Sequence, residues 1–107
     1  MTAVRGISAK DLKAALHDGV ELSLLDAREI VPYAEQHILM ASSVPFGQLE
    51  LLIGRLVPRH GARLVWCDAG EGLAERAAGR SQTLGYTDVM VLDGGVDAWE
   101  KIGRAHV

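Results

Sequence analysis

Strand-like apolar runs alternate with helix-patterned segments along all 107 residues, and this alternation restricts the fold more than any single motif does. Residues 9–18 carry Leu12 and Leu16 at helical spacing, with Ser8 and Asp11 as a loose capping box and Gly19 closing the segment. Glu21-Leu22-Ser23-Leu24-Leu25 reads as a mostly buried strand, ended by Asp26, whose carboxylate can accept nearby backbone N–H groups. Residues 30–36 predict a short helix in which Pro32 fits only the first turn. Ser43-Val44-Pro45 predicts a brief strand, and Phe46 to Leu56 puts Leu49, Leu52, Ile53 and Leu56 at helical spacing. Past Pro58 and Gly61, Arg63 to Cys67 is a further strand, followed by a helix from Leu73 to Leu84. Val89 to Leu92 is another buried strand, and Gly94-Gly95 turns the chain into a last helix containing Trp99. Such alternation predicts an α/β fold whose parallel sheet is covered on both faces.

Length and charge narrow the class. The 107 residues are read as one domain, 1–107, which can also stand as one module of a longer tandem protein. A net charge of −3 gives no general pull toward nucleic acid or acidic membranes, so neither is expected as a partner. One cysteine forms no internal disulfide, and no apolar run approaches the roughly 20 residues of a membrane span. Met1 to Gly6 lack the apolar core of a signal peptide, so a cytoplasmic protein is expected.

In parallel sheets, sites gather at the carboxyl ends of strands. Asp26, Cys67 and Asp93 all fall at that edge. Cys67 ends a strand, the glycine-bearing loop Asp68-Ala69-Gly70-Glu71-Gly72 follows, and a helix begins at Leu73. That order aims backbone N–H groups and a helix dipole at the loop, which favours a reactive thiolate. The same cysteine also reads as a small buried apolar residue. Trp66 and Trp99 read as core anchors, and Tyr33 as a packed ring with a hydrogen-bonded hydroxyl.

Two paired motifs carry a resemblance. Leu24-Leu25-Asp26-Ala27-Arg28-Glu29, then Tyr33, His37-Ile38, Ala41 and Val44-Pro45, is similar to the first signature of the rhodanese-like domain. Leu84-Gly85-Tyr86, Val89, Leu92-Asp93-Gly94-Gly95, Ala98-Trp99 and Gly103 resemble its C-terminal signature, so the likeness spans roughly residues 5–103. The resemblance implies a five-stranded parallel sheet with helices on both faces and a catalytic cysteine at Cys67. It implies a sulfurtransferase that takes sulfane sulfur from thiosulfate or a persulfide, carries it on Cys67, and passes it to a thiol or cyanide. Residues Asp68, Ala69, Gly70, Glu71, Gly72 and Leu73 would form the persulfide-binding loop, with no metal or organic cofactor. A second rhodanese module or a sulfur-acceptor protein is an implied partner.

The loop also departs from that pattern. Family loops that bind anionic donors often carry an arginine near their end; this one has two carboxylates, no arginine and about one residue more. Such Asp- and Gly-rich loops resemble those of inactive rhodanese modules, which gives a second reading: a weak or inactive module that binds a partner or regulates an active domain. A phosphatase of related fold would need an arginine to clamp phosphate, which the loop lacks. Arg76, in the following helix, either faces the pocket as an anion-binding group or is solvated. Arg28 either reaches the rim or forms a surface ion pair with Glu29 or Glu35. Asp26 is expected to brace loops, and His37 to pack and hydrogen-bond rather than act as a base.

Overall fold

The computed structural model describes residues 4–29, 38 and 41–105; the expected helix over 30–36, Tyr33 and His37 lie outside them. In chain order the elements are β1 (Arg5–Ile7), α1 (Ala9–Leu16), β2 (Leu22–Asp26), β3 (Ser42–Ser43), a 3-10 turn (Phe46–Gln48), α2 (Leu49–Leu56), β4 (Arg63–Cys67), α3 (Leu73–Thr83), β5 (Val89–Leu92) and α4 (Gly95–Ala105). The five strands form one parallel sheet in the order β1-β5-β4-β2-β3. The alternation therefore gives the architecture it predicts.

Period-2 alternation along β4 divides the core. Leu64 and Trp66 point into a cluster with Leu49 and Ile53 of α2 and Ala74, Ala77 and Ala78 of α3. Val65 and Cys67 point the opposite way, into a cluster with Leu12 of α1 and Val96 of α4. The small side chains of α3 bring that helix close enough for the fully buried Trp66 to be satisfied. Its indole N–H donates to Ser81 Oγ at 2.9 Å, and the Ser81 hydroxyl donates to Ala77 O at 2.8 Å. Trp99 is half-buried against the α1/α4 cluster, so of the two tryptophans Trp66 is the central one.

Three local expectations shift. Helix α1 ends at Leu16 instead of Asp18, because the Asp18 carboxylate accepts from Val20 N–H at 2.9 Å and from Arg63 across the sheet. The α1 start is as the capping box predicts, with Asp11 N–H donating to Ser8 Oγ at 3.1 Å. The strand expected at 43–45 is shortened to Ser42–Ser43, with Val44 N–H still donating to Asp26 O at 2.9 Å, since Pro45 has no N–H and the chain turns directly into the 3-10 segment. Strand β1 is too short and polar to show in the pattern; it forms because Arg5, Gly6 and Ile7 pair with Met90, Val91 and Leu92.

The candidate active-site loop

The register of the central strands sets the site. Asp26 stands beside Cys67 at the carboxyl ends of β2 and β4, and Ser43 stands beside Asp26 on β3. Asp26 is fully buried. Its Oδ1 accepts from the Arg28 N–H and Nε at 3.0 Å each, and its Oδ2 accepts from Arg28 Nη2 at 2.8 Å. Arg28 itself is 3% exposed and forms a buried, bidentate pair with Asp26, where the sequence left a place at the rim and a surface ion pair with Glu29 or Glu35 as alternatives. Asp26 thus holds the chain on the far side of its own strand end, the bracing role expected for it.

Cys67 is completely buried. Burial pushes its thiol well above the ordinary range, and the neighbouring Asp26 charge adds to this; the Arg28 guanidinium pulls the other way without offsetting it. Its side chain shares a face with Val65 and packs under the loop, against the α1/α4 core. Of the two readings the sequence leaves open for Cys67, the structure gives the small buried residue: strand parity places it in the α1/α4 cluster.

The loop's own carboxylates take the N–H groups instead. Asp68, 7% exposed, follows Cys67 at the start of the loop. Its Oδ1 accepts from Gly70 N–H at 2.9 Å and its Oδ2 from Ala74 N–H at 2.8 Å, in the first turn of α3. Glu71, exposed, accepts from Ala69 N–H at 2.5 Å. A carboxylate in a ring of backbone donors at a helix N-terminus is well stabilised. Gly72, at φ +85°, supplies the left-handed conformation needed just before Leu73 opens α3 and packs on the first core cluster. Across the loop, Gly95 leaves room for the Asp68 carbonyl, which accepts from Val96 N–H at 2.9 Å. One residue therefore ties the starts of α3 and α4 together.

A cleft of about 240 Å³ lies beside the loop, lined by residues that include Asp68, Gly70, Gly72, Glu75, Asp93 and Gly95 but not Cys67. Arg76 does not enter it: its guanidinium lies 4.7 Å from the centroid of the Phe46 ring, on another face of α3. Of the residues singled out from sequence, Asp26, Arg28, Cys67 and the loop 68–73 are brought together, Arg76 is not, and His37 lies outside the described residues. Among the described residues, no group of three His, Cys, Asp or Glu side chains is arranged to hold a metal ion. The dominance of Asp68 was missed, although two signals were present. Asp at the start of an Asp-x-Gly stretch is an Asx-turn former, and an acidic residue just ahead of a helix start suits that helix's free N–H groups.

Comparison with known proteins defines the class. Residues 8–102 match the rhodanese-like domain, and the chain belongs to that family. Among solved structures it is similar to a thiosulfate sulfurtransferase from Pseudomonas aeruginosa, with 44% identity and a TM-score of 0.89 over 94% of this chain. It spans only 19% of that protein's length. It is also similar to a rhodanese-like domain from Anabaena, with 25% identity and a TM-score of 0.82 over 96% of this chain and 76% of that one. The human single-domain sulfurtransferase TSTD1 shares the fold, with 21% identity and a TM-score of 0.79 over 92% of this chain and 96% of that one. The comparison with curated proteins gives no match.

Proposed function

We propose that this rhodanese-like domain serves sulfur transfer as a binding or regulatory module and carries no sulfur itself in its resting conformation. The carrying observation is the Asp68 carboxylate, which accepts from Gly70 and Ala74 N–H groups within the loop. A persulfide's terminal charge needs backbone donors of this loop, and the Gly70 N–H is already taken. With Glu71 on Ala69 N–H, the loop meets an incoming anion with two carboxylates that already hold part of its donors. Burial covers the thiol beneath and raises its pKa, which disfavours the thiolate, the nucleophilic form. The 19% share of a longer sulfurtransferase fits a module whose partner is an active rhodanese domain or a sulfur-acceptor protein. We place it in the cytoplasm; no helix among the described residues is long and apolar enough to cross a membrane.

The test is intact-mass spectrometry after incubation with thiosulfate and, separately, with a polysulfide. The expected result is an unchanged mass with both donors. A gain of one sulfur that disappears in Cys67→Ser overturns the proposal.

That outcome would instead support transfer through Cys67, a reading favoured by the 44% identity to a thiosulfate sulfurtransferase and by the position of Cys67 at the loop's root. The thiolate would attack the outer sulfur of thiosulfate, forming the Cys67 S–S bond while sulfite leaves with the electron pair. A thiolate or cyanide would then attack the terminal sulfur, returning Cys67 as thiolate and leaving as persulfide or thiocyanate. This route needs Cys67 to leave the α1/α4 core and lose its proton first.

A further inference from the structure

Among the described residues, the large apolar side chains most exposed to water are Val20, Leu51 and Leu56, and two of them share α2. Leu51 on α2 is 76% exposed and Leu56, near the end of the same helix, 45%. Leu51 lines a groove of about 430 Å³ between the 3-10 turn with the start of α2 and the flank of α3; Phe46, Gly47, Leu49, Glu50 and Arg80 complete its lining. Arg76 stacks on Phe46 at its edge, and Arg80 closes over Glu50 as an ion pair. Arg55 stands one turn beyond Leu51 on the same side of α2 and is exposed. Three arginines thus meet one glutamate on a chain whose net charge is −3. This region is basic where the molecule as a whole is acidic.

We infer that this groove is a docking surface for an acidic protein segment that inserts an apolar side chain between Phe46 and Leu51. The charge complementarity selects the acidic character: carboxylates can pair with Arg55 and Arg76, and can compete with Glu50 for Arg80. The apolar floor selects protein over nucleic acid, because a leucine or aromatic anchor removes Leu51 and Phe46 from water while a phosphate backbone does not. Arginine and aromatic side chains are also the types most often found at the centre of such contacts. The inference goes beyond the loop reading and stands apart from it, since none of these residues touches Cys67 or Asp68.

The probe is a fluorescein-labelled helical peptide with leucines at i and i+4 flanked by glutamates, titrated into the full chain and followed by polarisation and amide chemical shifts. Saturable binding is expected, with shifts confined to residues 46–55 and 76–80. Leu51→Asp should weaken it at least tenfold, and the double variant Arg76→Glu, Arg80→Glu should do the same. Val20→Asp, at a comparably exposed valine elsewhere, should leave it unchanged. Raising the salt should weaken binding, because the carboxylate–arginine pairs are exposed. Circular dichroism of each variant separates lost binding from lost fold. A lysine-for-glutamate peptide binding equally well overturns the proposal, as do shifts centred on the loop 68–73. Tighter binding of anionic phospholipid vesicles, or self-association of the chain abolished by Leu51→Asp, would also overturn it and name the occupant. Sulfur loading of Cys67 changes none of these outcomes, so the two proposals fail separately.

Discussion

The two edges of the sheet use charge in opposite ways. At the amino edge, two arginines meet carboxylates in the open, Arg5 with Asp88 and Arg59 with Glu21 at 3.0 and 2.9 Å, while the half-buried Arg63 pairs with Asp18 and donates to the Glu21, Ala15 and Val20 carbonyls. At the carboxyl edge, charge is buried and spent on the backbone. Asp26 holds Arg28 under the surface, and Asp68 holds the N–H groups of Gly70 and Ala74. Exposed pairs trade hydration for a weak attraction and contribute little. Buried ones leave a stranded partner when broken, so they fix the conformation around them. At the edge that carries the candidate site, the buried pair and the Asp68 carboxylate fix the conformation around them.

The strongest way to break that contrast is Arg28→Ala. It leaves the Asp26 carboxylate buried without its guanidinium, beside a thiol that offers no charge compensation. The expected loss is about 3–5 kcal/mol, as for other broken buried pairs. Urea unfolding followed by tryptophan fluorescence measures it; a loss under about 1 kcal/mol would mean that water reaches Asp26 and the edge is not sealed.

Asp68→Ala comes next. It removes the acceptor for a loop donor and for a buried first-turn donor of α3, at an expected cost of about 2–3 kcal/mol. It also leaves a vacant set of N–H donors at a helix N-terminus. Sulfate should therefore raise the melting temperature of this variant more than that of the wild type. An equal response in both proteins would show that the Asp68 carboxylate is not what fills the loop.

The sequence made the sheet legible because strands and helices alternate with distinct periods, and the glycines and prolines between them mark the joints. The cap at Ser8 and the core place of Trp66 were legible for the same local reason. The site was half legible. The residues Asp26, Cys67 and 68–73 were found together because strand ends in a parallel sheet share one edge. That the Asp68 carboxylate, two residues from Gly70 and six from Ala74, would take both their N–H groups depends on the loop's tertiary path, which no local pattern gives. The Asp26–Arg28 pair was not legible as buried, because an arginine two residues past a strand reads as solvated until tertiary packing covers it. The approach of Gly95 to the Asp68 carbonyl joins residues 27 apart in sequence, and no local pattern signals it.

Alkaline pH sharpens the contrast from the side of the thiol. The folded state keeps the proton on Cys67 through a range in which the unfolded chain releases it. Stability is therefore full below the ordinary thiol range and falls as pH rises above about 8.5. The slope approaches about 1.4 kcal/mol per pH unit for one proton. Tyr86, raised by burial, pulls in the same direction at higher pH, so the informative quantity is the difference between the wild type and Cys67→Ala. The variant should lose less stability between pH 8 and pH 10. Parallel curves would mean that Cys67 ionises freely in the fold, and the case for a sealed sulfur would fall with it.

The smallest effect is expected at the opposite edge. Arg59 and Glu21 have side chains 72% and 54% exposed, so their pair at 2.9 Å competes with water at both ends. Arg59→Ala should cost about 0.5 kcal/mol or less, and 1 M salt should erase even that, since the screening length there is about 3 Å. The same salt should leave the cost of Arg28→Ala nearly unchanged, because ions do not enter a pair buried to 4% and 0% exposure. Measuring both variants at low and high salt places the two edges on one scale. If the Arg59 loss matches the Arg28 loss, or if salt reduces both alike, then burial does not separate the edges, and the loop at the carboxyl ends is no more firmly closed than the surface around it.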